Sequence, residues 1–271
     1  MLPIRAVSKD SDVLLDLAIK SGVPFEAQHN HTTVDAPPTV YHIREVFKRL
    51  TEQGIANKIN MPPEITDVDG KIVRATMWNL IPTKLMPPTR KIRYCCEYFK
   101  ERIFDGQHLL VGVRWSESNS RKKRGLHENR AKKKEDRILY FDENDESRKL
   151  TDICRLKSQI MTNPLIDWTD LEIWEYVRRN GIKMNPLYEQ GFKRVGCVGC
   201  PMAGPTGQWQ EFEMFPKYKR AYIKAFERMI EERKRREKNI DEQWQDGESV
   251  FKWWTDPKYD LNQITFEFDY A

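Results

Sequence analysis

Four cysteines in two close pairs constrain this chain more than any other feature. Cys95 and Cys96 are adjacent in Arg93-Tyr94-Cys95-Cys96-Glu97. Cys197 and Cys200 follow roughly a hundred residues later in Gly196-Cys197-Val198-Gly199-Cys200-Pro201. Four thiolates from two separate loops can hold one metal centre, and a fold that uses them so must bring those loops together. Adjacent Cα atoms lie roughly 3.8 Å apart, and their side chains are expected to diverge. Two neighbouring thiolates then fit poorly on two corners of one zinc ion and better on two irons of a cluster. Cys-x-x-Cys alone serves both metals, so the Cys95-Cys96 pair is what favours iron–sulfur. A zinc staple or two structural thiol pairs are the alternatives.

With 271 residues, 39% of them hydrophobic, the chain is long enough for one sizeable α/β domain or two small ones with a real core. A net charge of +5 favours anionic ligands weakly and does not by itself argue for nucleic acid. No stretch approaches the ~20 apolar residues of a bilayer span. The N-terminus lacks the basic and apolar regions of a secretion signal. An odd cysteine count with metal-like spacing does not read as a secreted disulfide framework. The expected location is therefore cytoplasmic, with Cys154 a buried, inert thiol.

Residues 2–7 read as a strand. Val13, Leu14, Leu17 and Ala18 then recur at helical spacing up to Gly22. Residues 24–30 read as a second strand. Val40 to Gln53 forms a helix with Ile43, Val46, Phe47 and Leu50 on one face, and residues 54–92 read as loops plus a short helix. His108 to Trp115 is an apolar run of the kind buried in a parallel sheet. Strands or short connectors are expected at 137–141 and 157–161. Thr169-Asp170-Leu171-Glu172 is a capping box opening a helix that stops at Gly181. This alternation predicts an α/β fold with a doubly wound, mostly parallel sheet. From Tyr218 to Ile230 the apolar spacing fits one more helix, docking an aromatic stripe on that domain, with a solvated charged continuation to Lys238. The expected organisation is a nucleotide-binding domain over 1–204 and a helical extension over 205–271.

Two segments carry anion chemistry. Ser8-Lys9-Asp10-Ser11 lies between the first strand and first helix, where α/β folds bind phosphate on helix N-terminal amides. An ordinary helix cap by Ser8, Asp10 or Ser11 is the alternative. Arg114 and Arg121 flank the sequence Trp-Ser-Glu-Ser-Asn-Ser directly after the apolar strand. Two arginines there can grip phosphate or sulfate, with Glu117 orienting either one. A solvated basic loop is the alternative. Asn163-Pro164-Leu165-Ile166-Asp167-Trp168-Thr169 reads as a structural entry to the capped helix.

The order Lys-Asp-Ser, Cys-Cys, Arg-x-x-Glu-Ser-x-x-Arg, Asn-Pro-Leu-x-Asp-Trp-Thr, Cys-x-x-Cys resembles the phosphoadenosine phosphosulfate (PAPS) reductase family, above all its iron–sulfur adenylylsulfate (APS) reductase branch, over about residues 6–204. The resemblance implies an adenine nucleotide alpha hydrolase-like, Rossmann-like fold. It also implies a [4Fe–4S] cluster on Cys95, Cys96, Cys197 and Cys200 beside an adenine nucleotide (APS, PAPS or ATP). Lys100 matches the family's lysine near the cluster. Arg114 and Arg121 match arginines at the anionic end of the nucleotide, and Thr33-Val34-Asp35 lies where the family shapes its adenosine pocket. Ser8, Lys9, Asp10 and Ser11 fall on the phosphate loop. A small-molecule nucleotide, and a reductant such as thioredoxin, are the implied partners. The cluster would polarise the substrate, with Lys100 coupling the two.

Two departures qualify this. The family loop reads Ser-Gly-Gly-Lys-Asp-Ser, whereas this chain has Ala6-Val7-Ser8-Lys9-Asp10-Ser11. Glycine permits φ > 0 and close approach to phosphate, and a β-branched residue resists both, so binding is expected to weaken or the backbone to take another path. The family's nucleophilic cysteine lies in a tail reading Glu-Cys-Gly-x-His; this sequence has no cysteine after Cys200. A thiolate forms the covalent sulfur intermediate, so reductase chemistry is expected to lack its central residue. The expected function is a sulfur-metabolism enzyme binding an APS- or PAPS-like nucleotide. The alternatives are ATP-dependent sulfur insertion into nucleic acid, which the basic loop Arg121 to Lys134 could meet, and a degenerate, non-catalytic member.

Overall fold

A computed structural model describes residues 2–5, 8–101, 108–117, 121–129 and 160–256. Cys154, Ala6, Val7, the predicted strand at 137–141, residues 130–134 of the basic loop and the tail from 257 lie outside the described residues.

The sequence alternation becomes a six-stranded sheet. Its strands are β1 (Leu2–Arg5), β2 (Phe25–Asn30), β3 (Asn57–Asn60), β6 (His108–Leu110), β7 (His127–Asn129) and β8 (Ile160–Thr162), in the order β3-β2-β1-β6-β8-β7. All neighbours run parallel except β7 against β8. Helix α1 (Lys9–Ser21) connects β1 to β2, and α2 (Pro37–Glu52) leads to β3. The chain first builds outward on one side of β1 and later returns to its other side with β6. This is the strand order of a Rossmann-like, doubly wound sheet. The reversal between β1 and β6 is the switch point at which such sheets bind ligands, outside the carboxyl ends of the strands.

By compactness the chain forms two units that interleave in sequence. The first comprises residues 1–30, 37–60 and 102–195, and the second 31–36, 61–101 and 196–271. In the first, Ile4, Val13, Leu14, Phe25, Ala27, Ile43, Val46, Phe47 and Leu50 join Leu165, Ile173 and Val177 in one core. The last two sit on α5 (Asp170–Asn180). There Thr169 Oγ1 accepts from Glu172 N–H and Gly181 closes the helix in the left-handed region, the two ends that the sequence predicts. Gly22 ends α1 in the same way.

The second unit contains a short antiparallel pair, β4 (Glu64–Thr66) with β5 (Ile72–Arg74), and helix α3 (Met77–Lys84). A helical turn α4 (Tyr94–Cys96) runs into a π-helical turn at Glu97–Glu101. Three helices follow: α6 (Gly204–Met214), α7 (Pro216–Arg235) and α8 (Gly247–Thr255). The predicted aromatic stripe of α7 packs within the second unit. It forms this unit's own core with α3, α6 and α8: Tyr222 lies 5.1 Å from Trp78, 5.7 Å from Phe212 and 4.8 Å from Trp254. The first two are edge-to-face and the third tilted, and aromatic pairs of this kind add about 0.5–1.5 kcal/mol each beyond area burial. Among the described residues no helix is long and apolar enough to cross a membrane.

Candidate functional site

Two sets of residues carry the chemistry, one in each unit. In the first, the β1 and β6 loops meet at the switch point. A Cβ on Gly112 would lie 3.0 Å from the Asp10 backbone, closer than ordinary packing, so any side chain here would press on the start of α1. That contact places Arg114 against the start of α1. Arg114 is 2% exposed. Its Nε donates to Asp10 Oδ1 at 2.7 Å, its Nη1 to Ser116 Oγ at 2.7 Å and the Trp168 carbonyl at 3.2 Å, and its Nη2 to Asp170 Oδ1 at 2.5 Å. Lys9 Nζ meets the same Asp170 oxygen at 2.5 Å and lies 5.7 Å from the Trp174 ring centroid. Two cations and two carboxylates thus close on one another. Burial pushes the Asp10 carboxyl upward against the pull of Arg114 and Lys9, whereas the hydrogen bond from Lys9, followed by that from Arg114, holds Asp170 below its ordinary value.

The amides of the turn are engaged as well. Ser8 N–H donates to Ser11 Oγ at 2.6 Å, and Lys9 N–H to the Tyr188 hydroxyl at 3.0 Å. Glu117 Oε2 accepts from the Arg114 backbone N–H at 3.0 Å and pairs with the Arg121 guanidinium, so it touches both arginines. The Arg121 side chain is 37% exposed. Its pKa is pulled down by burial and by the neighbouring Arg124 and Arg194 guanidinium groups.

In the second unit, Cys95, Cys96, Cys197 and Cys200 line one cavity with Phe99, Lys100 and Tyr222. The two pairs converge as the spacing predicts. The expected divergence of Cys95 and Cys96 is not what forms. The helical turn brings the two thiols into hydrogen-bond contact, and that bond, then burial, then the charges of the other three sulfurs, pushes the Cys95 thiol far upward. Burial raises Cys197 to about 11, with Lys100 pulling the other way. A bound cationic centre displaces the protons of clustered, half-buried thiols such as these. Among the described residues no group of three or more His, Cys, Asp or Glu is arranged to hold a metal ion. All four cysteines nonetheless line one cavity together with Phe99 and Tyr222.

The Cys197–Cys200 turn is held from several sides. Val198 N–H donates to the Val34 carbonyl at 2.8 Å, and Cys197 Sγ lies 3.4 Å from Thr32 Oγ1. Gly199, at φ 74°, donates to Glu211 Oε2 at 2.6 Å, and its carbonyl accepts from Gln208 Nε2 at 3.2 Å. The Tyr222 hydroxyl donates to the Val198 carbonyl at 2.9 Å. The 31–36 segment is braced in turn. Asp35, 3% exposed, accepts from Thr32 N–H and Thr32 Oγ1, both at 2.8 Å. Thr33, left-handed at φ 65°, accepts from Met77 N–H at 3.0 Å. Thr33 and Asp35 therefore belong to the scaffold of the cysteine turn. The sequence pattern does not mark Thr32, Gln208 or Glu211, and it marks Tyr222 only as part of the aromatic stripe. A signal for two of them was present: Gln208 and Glu211 share one helical face at i, i+3. Asp170, a helix-entry residue by its sequence, is the shared partner of Lys9 and Arg114.

A family model described as the phosphoadenosine phosphosulfate reductase domain matches residues 3–203. This chain belongs to that family. Among curated relatives, an uncharacterized protein of Methanocaldococcus jannaschii is 29% identical over 48% of this chain and 24% of its own length. An adenosine 5'-phosphosulfate reductase of Allochromatium vinosum is 39% identical over 17% of this chain and 18% of its own. Sulfate adenylyltransferase subunit 2 of Sulfurimonas denitrificans is 27% identical over 68% and 58%. The matches thus span from 18% to 58% of these relatives' lengths. Within the PAPS reductase domain family, the departures at Ala6 and Val7 fall outside the described residues, and the turn that follows them is the self-paired one described above.

Proposed function

We propose that this protein is a sulfur-metabolism enzyme that binds an adenylylated sulfate nucleotide of the APS or PAPS class and holds a [4Fe–4S] cluster. The observation that carries the reading is the convergence of Cys95, Cys96, Cys197 and Cys200 on one cavity in a PAPS reductase family chain. When bound, a cluster supplies a fixed electrostatic field rather than an electron in each turnover. Phe99 and Tyr222 exclude water from its cavity, and Lys100 adds positive charge there.

At the other site Lys9 and Arg121 meet the anionic groups of the nucleotide, Ser8 and Ser11 offer hydroxyls, and Arg114 acts as a strut that fixes Asp10 and Asp170. Binding has a cost in this scheme: an incoming phosphate shares Lys9 with Asp170 and its amide with Tyr188. Nucleotide affinity should therefore be weaker than an open glycine loop gives.

A second reading, with ATP as the nucleotide, is favoured by the similarity to sulfate adenylyltransferase subunit 2, which extends over 68% of this chain. Calorimetric titration with APS, PAPS, ATP and AMP separates the two. Saturable binding of APS or PAPS that Lys9→Gln weakens is the expected result. Binding of ATP alone selects the second reading, and no affinity for any of the four refutes both.

A further inference from the structure

We propose that a cleft between the end of α3 and the Cys95-Cys96 turn binds a small organic molecule with a dianionic, phosphate-like head. The cavity measures about 340 Å³, within the range of about 300–1,000 Å³ typical of small-molecule sites. Among the described residues that line it, Lys84, Lys91 and Arg93 bring three cationic side chains and Glu97 one carboxylate. That balance matches a doubly charged oxyanion. Met86, Ile92 and Tyr94 complete the lining with apolar surface, which suits an organic body behind the charged head.

The cleft is built before any ligand arrives. Its rim, residues 85–93, is pinned through its own carbonyls. Arg233 Nη1 donates to Leu85 O at 2.5 Å, the Tyr94 hydroxyl to Met86 O at 2.8 Å, and Trp254 Nε1 to Pro88 O at 2.6 Å. Thr89 and Ile92 close a turn by two mutual bonds of 3.1 Å. Lys84 Nζ is steadied 4.9 Å from the Tyr98 ring centroid. A rim fixed in this way spares the ligand most of the ordering cost of binding. The cleft shares Cys96 with the thiol cavity, so a molecule seated in it lies against one of the four sulfur residues. Neither the cluster nor the nucleotide reading is needed for this site, because its charges come from side chains that neither reading uses.

The test is calorimetric titration at low ionic strength with phenyl phosphate, inorganic phosphate and benzenesulfonate. Phenyl phosphate is expected to bind tightest: inorganic phosphate lacks the apolar body and benzenesulfonate lacks the second charge. The double variant Lys84→Gln/Arg93→Gln should lose at least fivefold in phenyl phosphate affinity, and Glu97→Gln should gain severalfold. Equal affinity in wild type and both cleft variants overturns the site. So does equal affinity for the sulfonate and the phosphate. The Glu97→Gln arm keeps the result interpretable if the double variant fails to fold.

Discussion

The Ser8–Ser11 turn and the Cys197–Cys200 turn both gather polar groups away from water, and they resolve the electrostatics in opposite ways. Around the first, Lys9 and Arg114 are matched by Asp10 and Asp170 within 2.7 Å, and the Ser8 and Lys9 amides have partners. Around the second, hydrogen bonds hold the backbone, but four thiols line one cavity and the other three push the Cys95 thiol upward. The first site is stable as it stands and must give something up to bind an anion. The second gains by binding a cationic centre. Charge that balances internally raises the cost of a ligand; charge that does not balance selects one.

The largest test of this contrast is Arg114→Met. It leaves the Asp10 carboxylate buried without its main partner, which should cost about 3–5 kcal/mol by urea unfolding. A loss under about 1 kcal/mol would mean that the tetrad is not the strut described. Gly199→Ala comes next. A Cβ there would sit 2.7 Å from Phe212 and 2.9 Å from Tyr222 at φ 74°. Overpacking and left-handed strain together should cost about 2–4 kcal/mol, seen as a lowered midpoint with reduced metal content. An unchanged midpoint and metal content would show that the turn tolerates movement.

The sequence makes the sheet alternation, the α5 caps and the convergence of the cysteines legible, because each is set by local periodicity, by a capping box or by paired thiols. It leaves β3, α6 and α8 hidden. Asn57–Asn60 is too polar to read as a strand and is fixed by pairing with β2. The interleaved units are hidden for the same kind of reason. His31–Ala36 follows β2 directly, yet it serves the cysteine turn through a bond from Val198 N–H to the Val34 carbonyl, made across more than a hundred residues. Arg114 reads as an anion-binding arginine by position. Its burial against Asp10 and Asp170 depends on contacts that no local pattern encodes.

A smaller effect sharpens the first site. Lys9→Gln should weaken nucleotide binding roughly tenfold, the loss of about one charge-assisted hydrogen bond; unchanged affinity in calorimetry would place the anion elsewhere. The smallest expected effect is in pH dependence. Asp170 titrates below the ordinary 3.8 because Lys9 and Arg114 bond to it. The stability it contributes is therefore complete above that value and is lost as pH falls through the lower folded-state value. Asp170→Asn should flatten this acid limb by less than about 1 kcal/mol, since the side chain is largely exposed. An acid limb of equal slope in wild type and variant would remove Asp170 from the tetrad's balance.

The central claim, one inorganic centre on two converging thiol pairs, is tested most directly by the iron and acid-labile sulfide content of protein purified without oxygen. The account predicts brown protein with about four irons and four sulfides per chain, both falling sharply in Cys96→Ser and in Cys197→Ser. Colourless protein carrying zinc, or iron content that either substitution leaves unchanged, would contradict it.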